Sequence, residues 1–80
     1  MELIVRLYAH LVRYGPGTSS GRQFTVDLPD GSPISALIQH LNIPEEEVKT
    51  VFVNHIISSP ETILHKGDEV GIFSPIGGGS

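Results

Sequence analysis

Only one stretch of this 80-residue chain carries helical periodicity, and it fixes what the remainder has to supply. Ile34, Leu37, Ile38 and Leu41 recur at i, i+3, i+4 and i+7, a narrow apolar stripe suited to packing on a sheet. Ser32 is a good N-cap and Pro33 falls at the first helical position, where its missing N–H costs nothing. Asn42 and Pro44 stop the run. A single striped helix cannot enclose a core, so the other segments must form a sheet against it.

The flanking segments have the period that such a sheet needs. In Glu2–Ala9, Leu3, Val5 and Leu7 share one face while Ile4, Arg6 and Tyr8 share the other. Arg22–Leu28 alternates again through Phe24, Val26 and Leu28, and antiparallel pairing with the first strand is the simplest arrangement. The Gly, Pro and Ser cluster from Tyr14 to Gly21 joins them and is expected to be the most mobile internal loop. It lacks the glycine–lysine ending of a phosphate-binding loop, so a plain connection is the reading.

After the helix, Pro44–Glu47 reads as a short helical turn with acids at its positive end, a solvated cap. Thr50–Asn54 is the third strand, and Asn54–His55 turns tightly into a brief Ile56–Ile57 strand. Asparagine tolerates the left-handed backbone there, and His55 is less comfortable in it than glycine. Ile63 and Leu64 are available to seal the core edge, and Lys66–Asp68 turns into the last strand, Glu69–Phe73. Val51, Val53, Val70 and Ile72 take the inward parity, which turns Gly71 outward together with Phe52 and Phe73, two large exposed aromatics close to the tail. The pattern predicts an α+β domain, a mixed sheet of four to five strands on one main helix, spanning residues 1–80.

Composition removes several function classes. With no cysteine there is no disulfide, thiolate metal site or thiol nucleophile. A net charge of -4 with scattered Lys and Arg does not suit a phosphate backbone, so nucleic acid is not an expected partner. No apolar run approaches the length of a membrane span, and the start lacks the pattern of a secretion signal. The expected location is cytoplasmic. The histidines at 10, 40, 55 and 65 have no paired metal-ligand spacing, and Asp68 and Glu69 belong to a strand-entry turn. Neither a metal site nor a self-contained active site is expected.

What is left is the end of the chain, Ser74-Pro75-Ile76-Gly77-Gly78-Gly79-Ser80. Pro75 forbids further pairing, and three glycines add nothing to a core, so residues 74–80 are expected to be mobile. One reading is a frayed terminus. The other is a slender tail whose terminal acyl group enters another protein's active site, since a chain without side chains fits a narrow channel.

Val51-Phe52-Val53-Asn54, together with Leu64-His65-Lys66-Gly67-Asp68-Glu69-Val70 and the ending Phe73-Ser74-Pro75-Ile76-Gly77-Gly78-Gly79, resembles the MoaD/ThiS family of ubiquitin-like sulfur carriers. Leu28-Pro29-Asp30-Gly31-Ser32 before the helix fits the family's opening. The resemblance implies a β-grasp fold with the first and last strands adjacent and parallel at the sheet centre. Tyr8–Arg13 and the long loop after it are closest to the molybdopterin synthase small subunit, with a thiamine-type carrier as the alternative subtype. Ser74 departs from the family's first proline, and Ser80 lies one residue beyond the diglycine.

By that resemblance the chain is a carrier and not an enzyme, and it binds no cofactor itself. An E1-like partner using ATP and magnesium would adenylate the Gly79 carboxylate, with Gly78 completing the diglycine. The resulting thiocarboxylate would donate sulfur on a larger molybdopterin synthase subunit. Phe52, Phe73, Pro75, Ile76 and Gly77 are the expected partner contacts. Ser80 must then be trimmed, be an added residue, or mark a ubiquitin-like interaction module that never carries sulfur.

Overall fold

The chain is seen in a computed structural model that describes residues 1–16 and 21–74. Five strands form one sheet: β1 (Glu2–Leu7), β2 (Gln23–Asp27), β3 (Thr50–Val53), β4 (Ile56–Ser58) and β5 (Glu69–Phe73), in the spatial order β2-β1-β5-β3-β4. β1 and β5 run parallel, with Val5 opposite Val70, and every other pairing is antiparallel. The helix α1 (Ile34–His40) supplies Ile34, Leu37 and Ile38 to the core. First and last strands side by side within a mixed sheet that carries one main helix is the β-grasp arrangement, as the resemblance implied.

Period two decides the two faces. Leu3, Val5, Leu7, Val51, Val53, Val70 and Ile72 are all buried on the helix side. Removing them from water is the main favourable term for so small a domain, at ~25 cal/mol per Å². Phe24 is only partly buried against this core, and Leu28 closes its edge. Ile63 and Leu64 divide the task expected of both: Leu64 is fully buried, whereas Ile63 turns out and is 47% exposed. Alternation along an extended segment allows only one neighbour of such a pair to face inward.

The start of the helix differs from its sequence reading. Pro33 is the cap residue and no side chain caps it; the Ser32 hydroxyl donates instead to the Pro29 carbonyl at 2.7 Å. The first helical N–H groups still have acceptors. Ile34 N–H donates to the Thr62 carbonyl and Ser35 N–H to that of Pro60, each at 3.0 Å. The segment leading to β5 therefore satisfies the helix end through its backbone, and Ser32 is released from that duty. The other end follows the chemistry expected of Asn42, which has a φ of +61°. Asn42 N–H donates to the Gln39 carbonyl and Ile43 N–H to that of Ile38, a closing motif after which Ile43 is buried in the core.

One element has no counterpart in the sequence reading. Ala9–Tyr14 forms a 3-10 helix where the first strand was extended to Ala9 and a loop begun at Tyr14. It buries Leu11 completely, and it is anchored by the short turn Glu45–Glu47. Arg13 donates to the Glu47 carboxylate at 2.8 Å, and the Tyr14 hydroxyl donates to the same carboxylate at 2.9 Å. The Tyr14 oxygen and the Glu47 charge both hold the Arg13 guanidinium above its ordinary pKa. Glu47 is thus a tether as well as part of a solvated cap. The mobility expected of the Tyr14–Gly21 loop bears on positions 17–20, which lie outside the described residues, as do Pro75–Ser80.

Candidate functional site

The outward face of the sheet is where the expected contact residues meet. Phe73 ends β5 and Tyr8 follows β1 directly, so the parallel pairing of these strands brings the two rings into register. They stack face to face, with centroids 4.2 Å apart and planes 2° from parallel. Phe52 from β3 meets Phe73 edge-on at 5.4 Å. The edge-on arrangement suits the ring quadrupoles and adds roughly 0.5–1.5 kcal/mol beyond area burial.

Gly71 explains the shape between them. It stands opposite Arg6 on β1 and Phe52 on β3, and a β-carbon there would lie 3.6 Å from both Phe73 and Tyr8. Without it, the sheet has an open cleft of about 420 Å³ walled by the three rings. Arg6 bounds the cleft on the β1 side, and Glu69 and His55 bound it near the β3–β4 turn. His55 Nε2 lies 3.7 Å from the Glu69 carboxylate. Arg6 donates to the Gln23 side chain at 3.0 Å, which holds the guanidinium over β2.

Phe52 and Phe73 therefore lie together on the outward face, but neither is the freely exposed aromatic expected from parity alone. Each is half-buried, because Tyr8 and the two phenylalanines shield one another. Tyr8 was missed as a member of the group. Its outward parity with Ile4 and Arg6 was readable, but the β1–β5 register that stacks it on Phe73 was not. Among the described residues, the large apolar side chains most exposed to solvent are Ile56 and Ile57, 69% and 70% exposed, with Ile63 behind them.

Ser74 carries the chain off the sheet beside this cluster, and Lys49 N–H holds the Phe73 carbonyl at 2.8 Å. The candidates Pro75, Ile76, Gly77, Gly78 and Gly79 fall outside the described residues. Asp68 has a structural role. Its carboxylate accepts from the Asn54 side chain at 3.0 Å and from His65 N–H at 2.8 Å, pinning the β3–β4 turn to the entry of β5. Among the described residues, no group of three or more His, Asp or Glu side chains could hold a metal ion, and no helix is long and apolar enough to cross a membrane.

No curated protein matches the chain by sequence. Solved structures resemble it at low identity. A protein assigned as molybdopterin converting factor subunit 1 in Pyrococcus furiosus superposes with a TM-score of 0.69 at 21% identity, covering 94% of this chain and 98% of its own. SAMP1 from Haloferax volcanii gives 0.70 at 18%, covering 96% and 98%. A complex of subunits 1 and 2 of the molybdopterin-converting factor from Helicobacter pylori contains a chain that gives 0.57 at 20%, covering 95% and 96%. These likenesses establish the fold. The ThiS family model goes further, because it matches residues 5–79, nearly the whole chain and all three tail glycines. The chain belongs to the ThiS family, within the MoaD/ThiS group of ubiquitin-like sulfur carriers.

Proposed function

We infer that this chain carries sulfur on the carboxylate of Gly79. The observation behind this reading is the position of the aromatic cleft. It lies on the outward face at the end of β5, and the glycine-rich segment follows that strand directly. One surface can then dock while the residues after it enter a partner's active site.

The chemistry begins with an unreactive group. A carboxylate is a poor electrophile, so an E1-like partner would use ATP with magnesium: a Gly79 oxygen attacks the α-phosphorus and pyrophosphate leaves. A hydrosulfide-level donor then adds its sulfur to the acyl carbon, AMP departs with its electron pair, and loss of the sulfur's proton leaves a thiocarboxylate. On a larger synthase subunit the thiocarboxylate sulfur would attack a carbon of a pterin precursor and displace an oxygen leaving group there; hydrolysis of the resulting thioester would leave the sulfur on the pterin and return the carboxylate. This protein supplies the acyl group and the docking surface. Its partners supply the nucleotide, donor and substrate sites.

The molybdopterin assignment draws support from the names of the Pyrococcus and Helicobacter structures and from the Tyr8–Arg13 segment. A thiamine-type carrier uses the same tail chemistry and differs in its final acceptor. Mass spectrometry of the protein from its native cell tests the carrier reading. A chain ending at Gly79, heavier by the exchange of one oxygen for sulfur, is the expected species. A population that only ever retains Ser80 would point to an interaction module instead.

A further inference from the structure

β5 is the central strand of the sheet, and a chain leaving it can return along only one of its sides. Its two edges are paired with β1 and β3, and Val70 and Ile72 are buried on the helix side. The outward face alone stays open, and it holds the cleft of about 420 Å³ between Tyr8, Phe52 and Phe73. Gly71 lies in that cleft and has no β-carbon to keep a second backbone away.

The residues that follow have the composition of a reversal. Ser74-Pro75-Ile76-Gly77 carries serine at the first position, proline at the second and glycine at the fourth, as type I turns prefer. The Ser74 hydroxyl is buried, yet no hydrogen bond reaches it among the described residues. Buried hydroxyls ordinarily have a partner. A serine in that position can accept from the N–H two residues on, here Ile76, since Pro75 between them has none. Counting back from such a turn in step with β5, Gly77 stands level with Ser74, Gly78 with Phe73 and Gly79 with Ile72. Arg6, paired opposite Gly71, gives one N–H to Gln23 and keeps others for carbonyls that cross the cleft.

We propose that, in the free chain, residues 76–79 fold back into the chain's own aromatic cleft. Ile76 N–H is held by the Ser74 hydroxyl, the glycines lie across the rings toward Gly71, and Arg6 donates to their carbonyls. The tail is the occupant because a link of one or two residues keeps it at the cleft at about millimolar effective concentration. A contact so poor in side chains needs that advantage over any free peptide. The inference is independent of the carrier reading. Where both hold, the latched tail covers the docking face, and a partner has to displace it to reach the end of the chain.

The test is proton NMR on the 80-residue chain alone. Cross-peaks from the α-protons of Gly78 to the rings of Tyr8 and Phe52, both remote in sequence, are the expected result, unchanged on dilution. Ser74→Ala should weaken them roughly fivefold, the worth of one hydrogen bond. Arg6→Ala should weaken them as well, with the amide shifts of the sheet retained. Absence of the cross-peaks in the wild type would overturn the proposal and leave the carrier reading standing, and a Gly78 order parameter below about 0.6 would confirm a free tail. In that case Ser74→Ala should raise the unfolding midpoint, because the hydroxyl is merely stranded. Cross-peaks that fade on dilution would make a second copy the source of the tail and overturn the proposal too. Cross-peaks that survive both substitutions undiminished would overturn the roles given to Ser74 and Arg6.

Discussion

Two adjacent residues at the β3–β4 turn illustrate how one backbone geometry can be supported or merely tolerated. Asn54 and His55 both have left-handed backbone, with φ of +51° and +70°. Asn54 gains from it: its amide donates to Asp68 at 3.0 Å and its carbonyl accepts from Glu69 N–H at 3.0 Å. Asn54→Ala should therefore cost roughly 1–2 kcal/mol, from two lost hydrogen bonds and unrelieved strain, read as a fall in the urea midpoint. His55 gains nothing comparable, since its side chain is 92% exposed and its one ionic contact, at 3.7 Å, is long. His55→Gly should stabilise by about 0.5–1 kcal/mol, the relief of left-handed strain exceeding the added freedom of the unfolded chain. An unchanged or lower midpoint would show that the His55–Glu69 contact matters more than the backbone. Both outcomes were half legible in the sequence. The turn and the unease of His55 follow from local chemistry, whereas the bonds of Asn54 join residues 14 and 15 positions apart.

At the scale of elements, what was readable and what was not divides by the range of the interaction responsible. Strand faces follow from period two, so Val51, Val53, Val70 and Ile72 could be placed inward without knowing the topology. The 3-10 helix Ala9–Tyr14 could not be placed, because its stability comes from burying Leu11 and from the Arg13–Glu47 and Tyr14–Glu47 bonds across 34 and 33 positions. The site shows the same division. Phe52 and Phe73 were found by parity, and Tyr8 escaped because only the β1–β5 register unites it with Phe73. That stack bears on the mutational test of the docking face. Phe73→Ala removes both a contact surface and the support of two other rings, so it should lower affinity for the adenylating partner at least thirtyfold, as a central aromatic anchor does. Its stability cost should stay near 1–2 kcal/mol, below the 3–5 typical of a fully buried phenylalanine. Gly71→Ala provides a gentler control. Its β-carbon would make ordinary 3.6 Å contacts, so folding should be unaffected while binding weakens if a partner group fills the cleft. Unaltered affinity in both variants would remove this face from the interface.

For the whole molecule, the carrier reading turns on how far the folded domain can deliver a terminal carboxylate. β5 is anchored on both sides, by β1 and β3, and Lys49 N–H holds the Phe73 carbonyl, so the tail starts from a fixed point. From Phe73 to Gly79 there are six steps in the sequence, and an extended chain reaches at most about 20 Å at ~3.3 Å per residue. That span can cross from a docking surface to a buried nucleotide with little slack. Ser80 moves the terminal carboxyl onward by about 3 Å and replaces a glycine end with one bearing a β-carbon and hydroxyl. A misplacement near 1 Å can already lower a rate about a hundredfold. Chains ending at Gly78, Gly79 and Ser80 can be compared for ATP-dependent adenylation by the same enzyme, using pyrophosphate release as the readout. Only the Gly79 chain should turn over efficiently, and the others should fall by two orders of magnitude or more while still binding, because the docking face is intact in all three. Equal rates for the Ser80 chain would place the reactive register elsewhere and remove the need for trimming. Loss of binding as well as rate would show that the tail, and not the folded domain, carries the recognition.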